Sequence, residues 1–269
     1  MTAYNAEKTI RRALDSLGRN AEPFDLLIVD DASRRPLAEF LSPMGEGVEI
    51  VRPPHNLGVA GAKNFGLERL LAGPYEFIAM MDADDVSHPE RLAKQAAYLR
   101  AHPEIALVGA WALFFDENTH EVVYRFRPPC DPDAIRDALF SNSCIMHPTW
   151  MVRSEALRRT GLYSCDYPAA EDYELLRRMA GKFDLVNIPE FLLDYSVSMA
   201  GVSMKNRRRQ LYDRLRIQMK YFDARRFAAW RGIARTLVLF VVPFSVLVAY
   251  RSERNLRVQA SSRQRRSPD

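Results

Sequence analysis

Three aspartates follow an apolar stretch in the first half of the chain. Residues 77–81 (Phe-Ile-Ala-Met-Met) form an uncharged run typical of a buried strand, and Asp82, Asp84 and Asp85 come directly after it. Carboxylates this close repel each other unless a cation lies between them. An isolated acidic pair would indicate a solvated turn, but three acids after a buried strand favour a metal site. Because no His or Cys lies among them, the expected ion is Mg²⁺ or Mn²⁺, which prefers oxygen ligands.

A second acidic turn ends an earlier apolar run. Residues 24–29 predict a short buried strand, and Asp30 and Asp31 follow it. In α/β proteins with a parallel sheet, ligands bind beyond the carboxyl ends of the strands. The two acidic turns are therefore expected to face one crevice. Taken alone, Asp30 and Asp31 are explained equally well as an ordinary turn after a strand.

Strands and helices alternate in the predicted order of elements. Helical periodicity predicts helices from about Asn5 to Gly18 and at about 60–71, 89–100, 132–140 and 171–180. Further strands are predicted at about 48–51, 105–115 and 120–126. This alternation predicts an α/β fold with a mostly parallel sheet flanked by helices.

The start of the chain departs from this pattern. Residues 1–5 lead straight into the first helix, whereas a doubly wound fold normally begins with a strand that becomes central in the sheet. We therefore expect the first strand to be missing, with Met1 as the last residue of a strand that lies upstream.

Composition and cysteine content exclude several classes of protein. With 48% hydrophobic and 27% charged residues, the 269-residue chain has ordinary globular composition, not that of a disordered protein. The three cysteines are odd in number and have no C-x-x-C spacing, so neither a disulfide framework nor a zinc site is indicated. We expect a reducing compartment, and the N-terminus has no pattern of a cleavable signal.

Charge is distributed unevenly along the chain. Residues 1–204 contain 21 Lys and Arg against 30 Asp and Glu, a net charge of −9, whereas residues 205–269 contain 17 against 4, a net charge of +13. The sequence thus predicts an acidic domain at 1–204 and a basic, helical region at 205–269. Such a region is attracted to a polyanion, either an anionic membrane surface or a nucleic acid.

Five motifs follow one another along the chain. They are Thr2-Ala3-Tyr4-Asn5, Val29-Asp30-Asp31-Ala32-Ser33, residues 56–64 (Asn-Leu-Gly-Val-Ala-Gly-Ala-Lys-Asn), Met81-Asp82-Ala83-Asp84-Asp85 and Glu171-Asp172-Tyr173. In this order they resemble glycosyltransferase family 2, in particular its bacterial exopolysaccharide and lipopolysaccharide branch. The resemblance extends over roughly residues 2–193. It implies a GT-A fold, which is Rossmann-like, and transfer of a sugar from a UDP-, GDP- or dTDP-linked donor.

The resemblance also implies roles for individual residues. Those that would contact the nucleotide sugar are Thr2, Tyr4, Asp30, Asp31, Lys63 and Asp82. Lys63 would meet the phosphates, although the family often has Arg at this position, which binds phosphate through two parallel hydrogen bonds. Asp84 would be the direct metal ligand, with Asp85 in support. The metal, Mg²⁺ or Mn²⁺, would neutralise charge on the departing nucleoside diphosphate.

Asp172 matches the residue that acts as catalytic base in the family. A carboxylate there could take the proton of an acceptor hydroxyl, and the N-terminus of the predicted helix is expected to favour its ionised form. From local sequence alone, Glu171 and Asp172 are explained as favourable residues for the first turn of a helix. His147 is interpreted as a packed residue and is left out of the predicted site.

The basic region contains a predicted helix at 206–222 and an apolar run at 236–250. Fifteen helical residues extend only about 22 Å, less than the roughly 30 Å of a bilayer core, and Pro243 would bend them. The run is better suited to lie in a membrane interface, although a helix docked on the domain is the alternative. We expect a peripheral or monotopic enzyme at the cytoplasmic face of the bacterial inner membrane, without a nucleic-acid partner.

Features of the sequence relate to three functions. The first is an inverting, metal-dependent transferase that acts on a lipid-linked or soluble glycan in cell-surface polysaccharide synthesis. The second, a phosphoacceptor receiver domain, needs a lysine on a later strand, and none occurs between Lys94 and Lys182. The third is a membrane-associated module that binds nucleotide sugars or polyanions with impaired catalysis.

Overall fold

Strands and helices alternate through the residues described by the computed structural model, which are 1–41, 47–117, 119, 121–197 and 207–242. The strands in this part of the chain are β1 (Thr2–Ala3), β2 (Leu26–Asp30), β3 (Val48–Val51), β4 (Phe77–Ala79), β5 (Val86–Ser87), β6 (Ile105–Asp116), β7 (Val122–Phe126), β8 (Met151–Arg153) and β9 (Asp184–Val197). The helices are α1 (Ile10–Leu17), α2 (Ala38–Leu41), α3 (Gly58–Leu71), α4 (Arg91–Ala101), α5 (Pro132–Ala138), α6 (Ser154–Thr160), α7 (Glu171–Ala180), α8 (Arg207–Lys220) and α9 (Phe227–Val241).

The N-terminal sheet has three parallel strands in the order β1-β2-β3. The central strand β2 is almost entirely buried, because its Leu, Ile and Val side chains pack on both faces, as in other parallel sheets. Helix α3 packs closely on β2 at Gly66, where an added Cβ would lie 2.8 Å from Val29 Cγ2. These contacts fix the edge at which the carboxyl ends of β1 and β2 meet.

The second sheet is mixed, with the order β4-β8-β6-β9-β5 and with β7 paired to β6. Strands β6 and β9 run parallel, whereas β8 and β7 pair antiparallel to β6. The α/β class predicted from the sequence is confirmed, but the parallel arrangement is complete only in the first sheet. A short connection such as that between β6 and β7 can join antiparallel strands but not parallel ones.

The predicted absence of a first strand is corrected in part. Thr2–Ala3 forms the strand β1, which pairs parallel with β2. Thr2 also forms an isolated parallel bridge with Asp82, so β1 lies between β2 and the segment that follows β4. The strand position next to β2 is therefore occupied, by two residues, and it connects the two sheets.

The C-terminal helices lie against the rest of the fold through buried polar contacts. Glu174 of α7 accepts hydrogen bonds from Lys220 Nζ and Tyr221 OH, each at 2.9 Å. Asp213 of α8 accepts one from Ala169 N at 3.2 Å. The predicted helix at 206–222 is confirmed as α8. The predicted domain boundary at 204/205 lies outside the described residues.

The apolar run predicted at 236–250 is described only up to residue 242, where it forms the end of α9. In the described part of the chain, no helix is both long and apolar enough to cross a membrane.

Candidate active site

A deep cleft opens where the carboxyl ends of β1 and β2 meet the turn after β4. Its volume is about 1980 Å³, whereas pockets for one small molecule are roughly 300–1,000 Å³. The cleft thus has room for two substrates. It brings together seven of the residues singled out from the sequence, namely Thr2, Tyr4, Asp31, Lys63, Asp82, Asp84 and Asp172.

Asp30 is not among the residues that line the cleft, and its contact with the nucleotide sugar stays a prediction. One oxygen accepts a hydrogen bond from Ser33 N at 3.0 Å, and the other accepts from Leu37 N at 3.1 Å and Arg52 Nη1 at 2.5 Å. Burial alone would raise the pKa of Asp30, but these hydrogen bonds outweigh it and hold the pKa below its ordinary value. The carboxylate stabilises the turn that carries Asp31.

Asp31 is the member of this pair that reaches the cleft. Its Oδ1 accepts a hydrogen bond from Leu57 N at 2.7 Å, and its backbone carbonyl accepts one from Asn56 Nδ2 at 2.9 Å. These bonds join the end of β2 to the start of α3. The same turn holds Ala32 at a φ of 56°, a left-handed conformation that is uncommon for residues other than glycine.

The acidic turn after β4 places three carboxylates at different depths. Asp84 is exposed to the open cleft, Asp82 is half-buried and Asp85 is completely buried, where it accepts a hydrogen bond from Ser196 N at 2.9 Å. Arg12 of α1 donates to the carbonyl oxygen of Asp84 at 2.8 Å, which fixes the turn from the side. Only Asp82 and Asp84 are therefore available to a ligand.

Mutual repulsion and burial raise the pKa of all three carboxyl groups. Incomplete hydration and the neighbouring Asp82 raise the pKa of Asp84 to about 6. Burial is also the largest cause of the raised pKa of Asp82 and of Asp85, and the nearby carboxylates add to it for both. The Oδ2 atom of Asp85 is buried without a hydrogen-bond partner. Lys63, Arg91 and the N-terminal amino group offset these effects at Asp82 only in part, so its pKa stays raised.

These residues fit a divalent cation that also takes ligands from a substrate. No group of three or more His, Cys, Asp or Glu side chains among the described residues is arranged to hold a metal on its own. Mg²⁺ commonly uses one or two carboxylates and completes its coordination with water and substrate phosphates. Asp82 and Asp84 provide such oxygen donors at the surface of the cleft.

Lys63 forms an ion pair within the protein, which the sequence did not predict. Its Nζ lies 2.9 Å from Glu171 Oε1, and both side chains are buried. Although burial alone would lower the pKa of Lys63, the carboxylates of Glu171, Asp82 and Asp172 together raise it. Lys63 stays charged and lines the cleft, but its ammonium group is already paired with the Glu171 carboxylate. A phosphate would have to compete with Glu171 for it.

Asp172 lies in the first turn of α7 beside this ion pair. Its Oδ1 accepts a hydrogen bond from Tyr173 N at 2.7 Å. The sequence predicted that the helix N-terminus would favour the ionised form, but burial and the adjacent Glu171 raise the pKa of Asp172 to about 6. Burial is the stronger effect here because a helix terminus is worth only about 0.3–1 kcal/mol at most exposed sites.

His147 lines the cleft, whereas the sequence predicts a packed residue outside the site. Its Nε2 lies 2.8 Å from Tyr163 OH, and its buried Nδ1 lies 3.8 Å from Asp82 Oδ1 without a hydrogen bond. Burial, together with the charge of Lys63, lowers the pKa of His147 well below its ordinary value, so the ring is neutral. The signal available in the sequence was Pro148, the next residue, because it favours the short 3₁₀ turn His147–Thr149 that contains this histidine.

Part of the cleft lining comes from the C-terminal helices. Polar side chains of α8 and α9 line it, namely Gln210, Arg214, Arg231 and Arg235. The sequence predicts that this region associates with a membrane, and it does not predict that the region lines the site. A net positive charge in the region was visible, but which of its many arginines would face the cleft depends on how the two helices pack.

Similarity to known proteins agrees with the fold. Residues 1–161, more than half of the chain, match the family described as Glycosyl transferase family 2. The chain belongs to this family. The amylovoran biosynthesis glycosyltransferase AmsE of Erwinia amylovora is 31% identical to it over 236 residues, which cover 82% of this chain and 85% of that protein. The O-antigen biosynthesis glycosyltransferase WbnJ of Escherichia coli is 32% identical over 126 residues, 46% of this chain and 48% of that protein.

Solved structures of glycosyltransferases share the fold at low sequence identity. The mannosyltransferase PcManGT of Pyrobaculum calidifontis, in complex with GDP-Man and Mn²⁺, superimposes with a TM-score of 0.65 and 18% identity, and covers 87% of this chain and 66% of that chain. S. aureus TarS in complex with UDP-GlcNAc gives a TM-score of 0.63 at 18% identity, over 88% of this chain and 70% of that chain. The GT-A fold expected from the sequence is confirmed. This chain, as a member of family 2, is a glycosyltransferase.

Proposed function

We propose that this glycosyltransferase moves a sugar from a nucleotide-sugar donor to a hydroxyl of a glycan in cell-surface polysaccharide synthesis, with inversion at the anomeric carbon. The observation that carries the proposal is the shared cleft, in which Asp82 and Asp84 lie on the same surface as Asp172. Names of relatives in amylovoran and O-antigen synthesis support the pathway class.

Different residues of the cleft suit donor binding, metal binding and proton transfer. Thr2, Tyr4 and Asp31 surround the donor end, where a carboxylate and hydroxyl groups can hydrogen-bond a nucleoside. A divalent cation held by Asp84, with Asp82 beside it, would supply charge neutralisation for the departing diphosphate. Asp172, when ionised, would accept the proton of the attacking hydroxyl.

Donor hydrolysis and transfer test these roles directly. The full chain is assayed with UDP-, GDP- and dTDP-linked sugars, with Mg²⁺, with Mn²⁺ and with EDTA. We expect Asp172→Asn to lose about 10²–10⁴-fold in transfer but to retain donor binding, because only the proton acceptor is removed. Asp84→Asn should lose metal-dependent activity and metal-dependent binding of a nucleoside diphosphate. Glu68→Gln, an exposed position of α3 outside the cleft, is the matched control.

The same assays separate the enzyme from an inactive binding module. A module that binds nucleotide sugars or polyanions would bind donor without turnover for every sugar tested, and Asp172→Asn would change nothing. The anomeric configuration of the product, determined by NMR, tests inversion. A product with the donor's configuration would refute direct displacement with Asp172 as base.

The proposal extends to the cytoplasmic surface of the inner membrane. Helix α9 exposes large apolar side chains, including Phe227 (79% exposed) and Val241 (84% exposed), which suits partial insertion into a bilayer interface. Binding to vesicles that contain phosphatidylglycerol should weaken in a Phe227→Ser/Val241→Ser variant. Phe24→Ser, which changes an exposed residue next to β2, should bind as the wild type does. Equal loss in both variants would refute a role for α9.

A further inference from the structure

The lining of the cleft contains two groups of opposite charge, which we call the acidic wall and the second wall. The acidic wall comprises the carboxylates Asp82, Asp84 and Asp172, and the second wall comprises arginines of the C-terminal helices. A divalent cation would account for the acidic wall. It does not account for Arg231 and Arg235, because cations repel one another and a metal-bound donor takes its positive charge from the metal. The second wall therefore calls for an anionic ligand of its own.

Arg231 and Arg235 are available to such a ligand. They lie one turn apart on α9, within about 40° of each other around the helix axis, and both are exposed. Neither has an ion pair or a hydrogen bond through its side chain with another residue in the described part of the chain. Each guanidinium group carries paired N–H donors that match the oxygens of a phosphate, so two of them one turn apart suit a phosphate or diphosphate.

Helix α9 holds these arginines in a fixed position. Gly232, next to Arg231, packs so closely on the backbone of Phe140 that an added Cβ would overlap its carbonyl oxygen. Arg207 of α8 donates to the carbonyl of Leu239 at 2.7 Å. The arginines thus project from an element that is anchored at its middle and near its end.

The exposed face of α9 identifies the class of molecule that carries the anion. Ala228, Ala229, Gly232 and Thr236 are buried on one face, and the opposite face consists of exposed apolar residues: Phe227, Trp230, Leu237, Val238 and Val241. By helical spacing, Arg231 and Arg235 lie on the flank between these faces, on the side of the cleft. This arrangement suits an amphiphile whose anionic group enters the cleft while its apolar chain stays outside.

We propose that Arg231 and Arg235 bind the diphosphate of a lipid-linked glycan acceptor, whose sugar then reaches Asp172. The proposal rests on the proposed glycan transfer and specifies its acceptor. A phospholipid headgroup has the same phosphate chemistry, so the test has to distinguish the two sources.

The test uses farnesyl diphosphate, a short water-soluble probe, and isothermal titration of the full chain in EDTA. EDTA removes metal-dependent binding of the diphosphate at the acidic wall. We expect wild type to bind farnesyl diphosphate but not farnesol, and Arg231→Gln/Arg235→Gln to bind at least tenfold more weakly. The control Arg208→Gln/Arg225→Gln removes the same charge from exposed positions outside the cleft and should bind as the wild type does.

Further variants make the outcomes decisive. Arg231→Lys/Arg235→Lys should bind with intermediate affinity, because lysine retains the charge but loses the planar fork. Equal weakening in the control pair, or no weakening in the arginine pair, would overturn the proposal. Displacement of farnesyl diphosphate by an equal concentration of glycerol 3-phosphate, a soluble phospholipid headgroup, would also overturn it, in favour of a headgroup site.

Donor hydrolysis measured in the same variants separates this proposal from the proposed function. If Arg231→Gln/Arg235→Gln hydrolyses nucleotide sugar as the wild type does and binds the probe equally well, the transferase stands and the acceptor subsite fails. If no donor is hydrolysed by any variant while probe binding depends on both arginines, the subsite stands and the transferase fails.

Discussion

Glu174 connects the helix that carries Asp172 with the C-terminal helices, and its substitution should destabilise the fold. The carboxylate is completely buried. Its Oε2 accepts a hydrogen bond from Arg178 Nε at 2.7 Å, and its Oε1 accepts from Lys220 Nζ and from Tyr221 OH. Glu174→Gln keeps the shape of the side chain but leaves two cations beside a neutral amide.

The expected loss is about 3 kcal/mol in the free energy of unfolding. Removing one partner of a buried ion pair typically costs about 3–5 kcal/mol. The lower value applies because Lys220 is 47% exposed and water screens part of its interaction. At roughly 2–4 °C per kcal/mol, the melting temperature should fall by about 6–12 °C. Glu68→Gln, an exposed helical glutamate, should change stability by no more than about 0.5 kcal/mol.

The pH dependence of this loss provides a second test. Burial alone would raise the pKa of Glu174, but Lys220 and Arg178 outweigh it and hold the pKa below its ordinary value. A carboxylate with a lowered pKa stabilises the folded state at neutral pH, and this contribution disappears as the pH falls through the folded-state pKa. Urea denaturation should therefore show a gap between wild type and Glu174→Gln that closes below about pH 4. A gap under 1 kcal/mol at pH 7, or one that is constant with pH, would refute the reasoning.

Three further predictions concern the site and its support. In the free enzyme, kcat/KM should fall about tenfold per pH unit below the pKa of Asp172, about 6, and Glu171→Gln should move this limb to lower pH, since it removes a neighbouring negative charge. Pre-steady-state or steady-state pH profiles check this, and a limb moved upward would contradict it. Asp30→Asn should lower stability by about 2 kcal/mol in urea denaturation and leave the donor KM unchanged, because its bond to Arg52 supports the turn and not the ligand. Gly66→Ala should cost about 1–3 kcal/mol because its Cβ would meet a valine methyl of β2, and unchanged stability would show that α3 can move away.

Most elements could be predicted from an unbroken apolar run or from a helical period. The strands at 24–29 and 77–81 are of the first kind, and the helices at 171–180 and 206–222 are of the second. Strand β9 could not be predicted, although it has 14 residues. Its sequence contains Pro189 and Glu190, which interrupt any alternation, and the pairing with β6 passes from Ile188 directly to Phe191. A proline is tolerated there because the bulge removes it from the hydrogen-bonded ladder.

The positions of single residues in the site could be predicted only in part, because they depend on partners that are distant in sequence. That two acidic turns would meet followed from the rule that parallel strands place their carboxyl ends together. Which of Asp30 and Asp31 would reach the cleft depended on Arg52, which lies on the next segment of the chain and pairs with Asp30. Likewise, the partner of Lys63 is Glu171, 108 residues away, and no local pattern connects them.

Helix α7 contacts both the donor side of the cleft and the C-terminal helices. Its first residue, Glu171, pairs with Lys63 on the donor side, and Asp172 enters the cleft. One turn later, Glu174 binds Lys220 of α8, and Asp213 of α8 is hydrogen-bonded to the loop just before α7. Since these carboxylates are buried, separating α8 from α7 would leave their charges unpaired in the protein interior. We infer that α8 is held against the helix that carries Asp172 by buried ion pairs and hydrogen bonds.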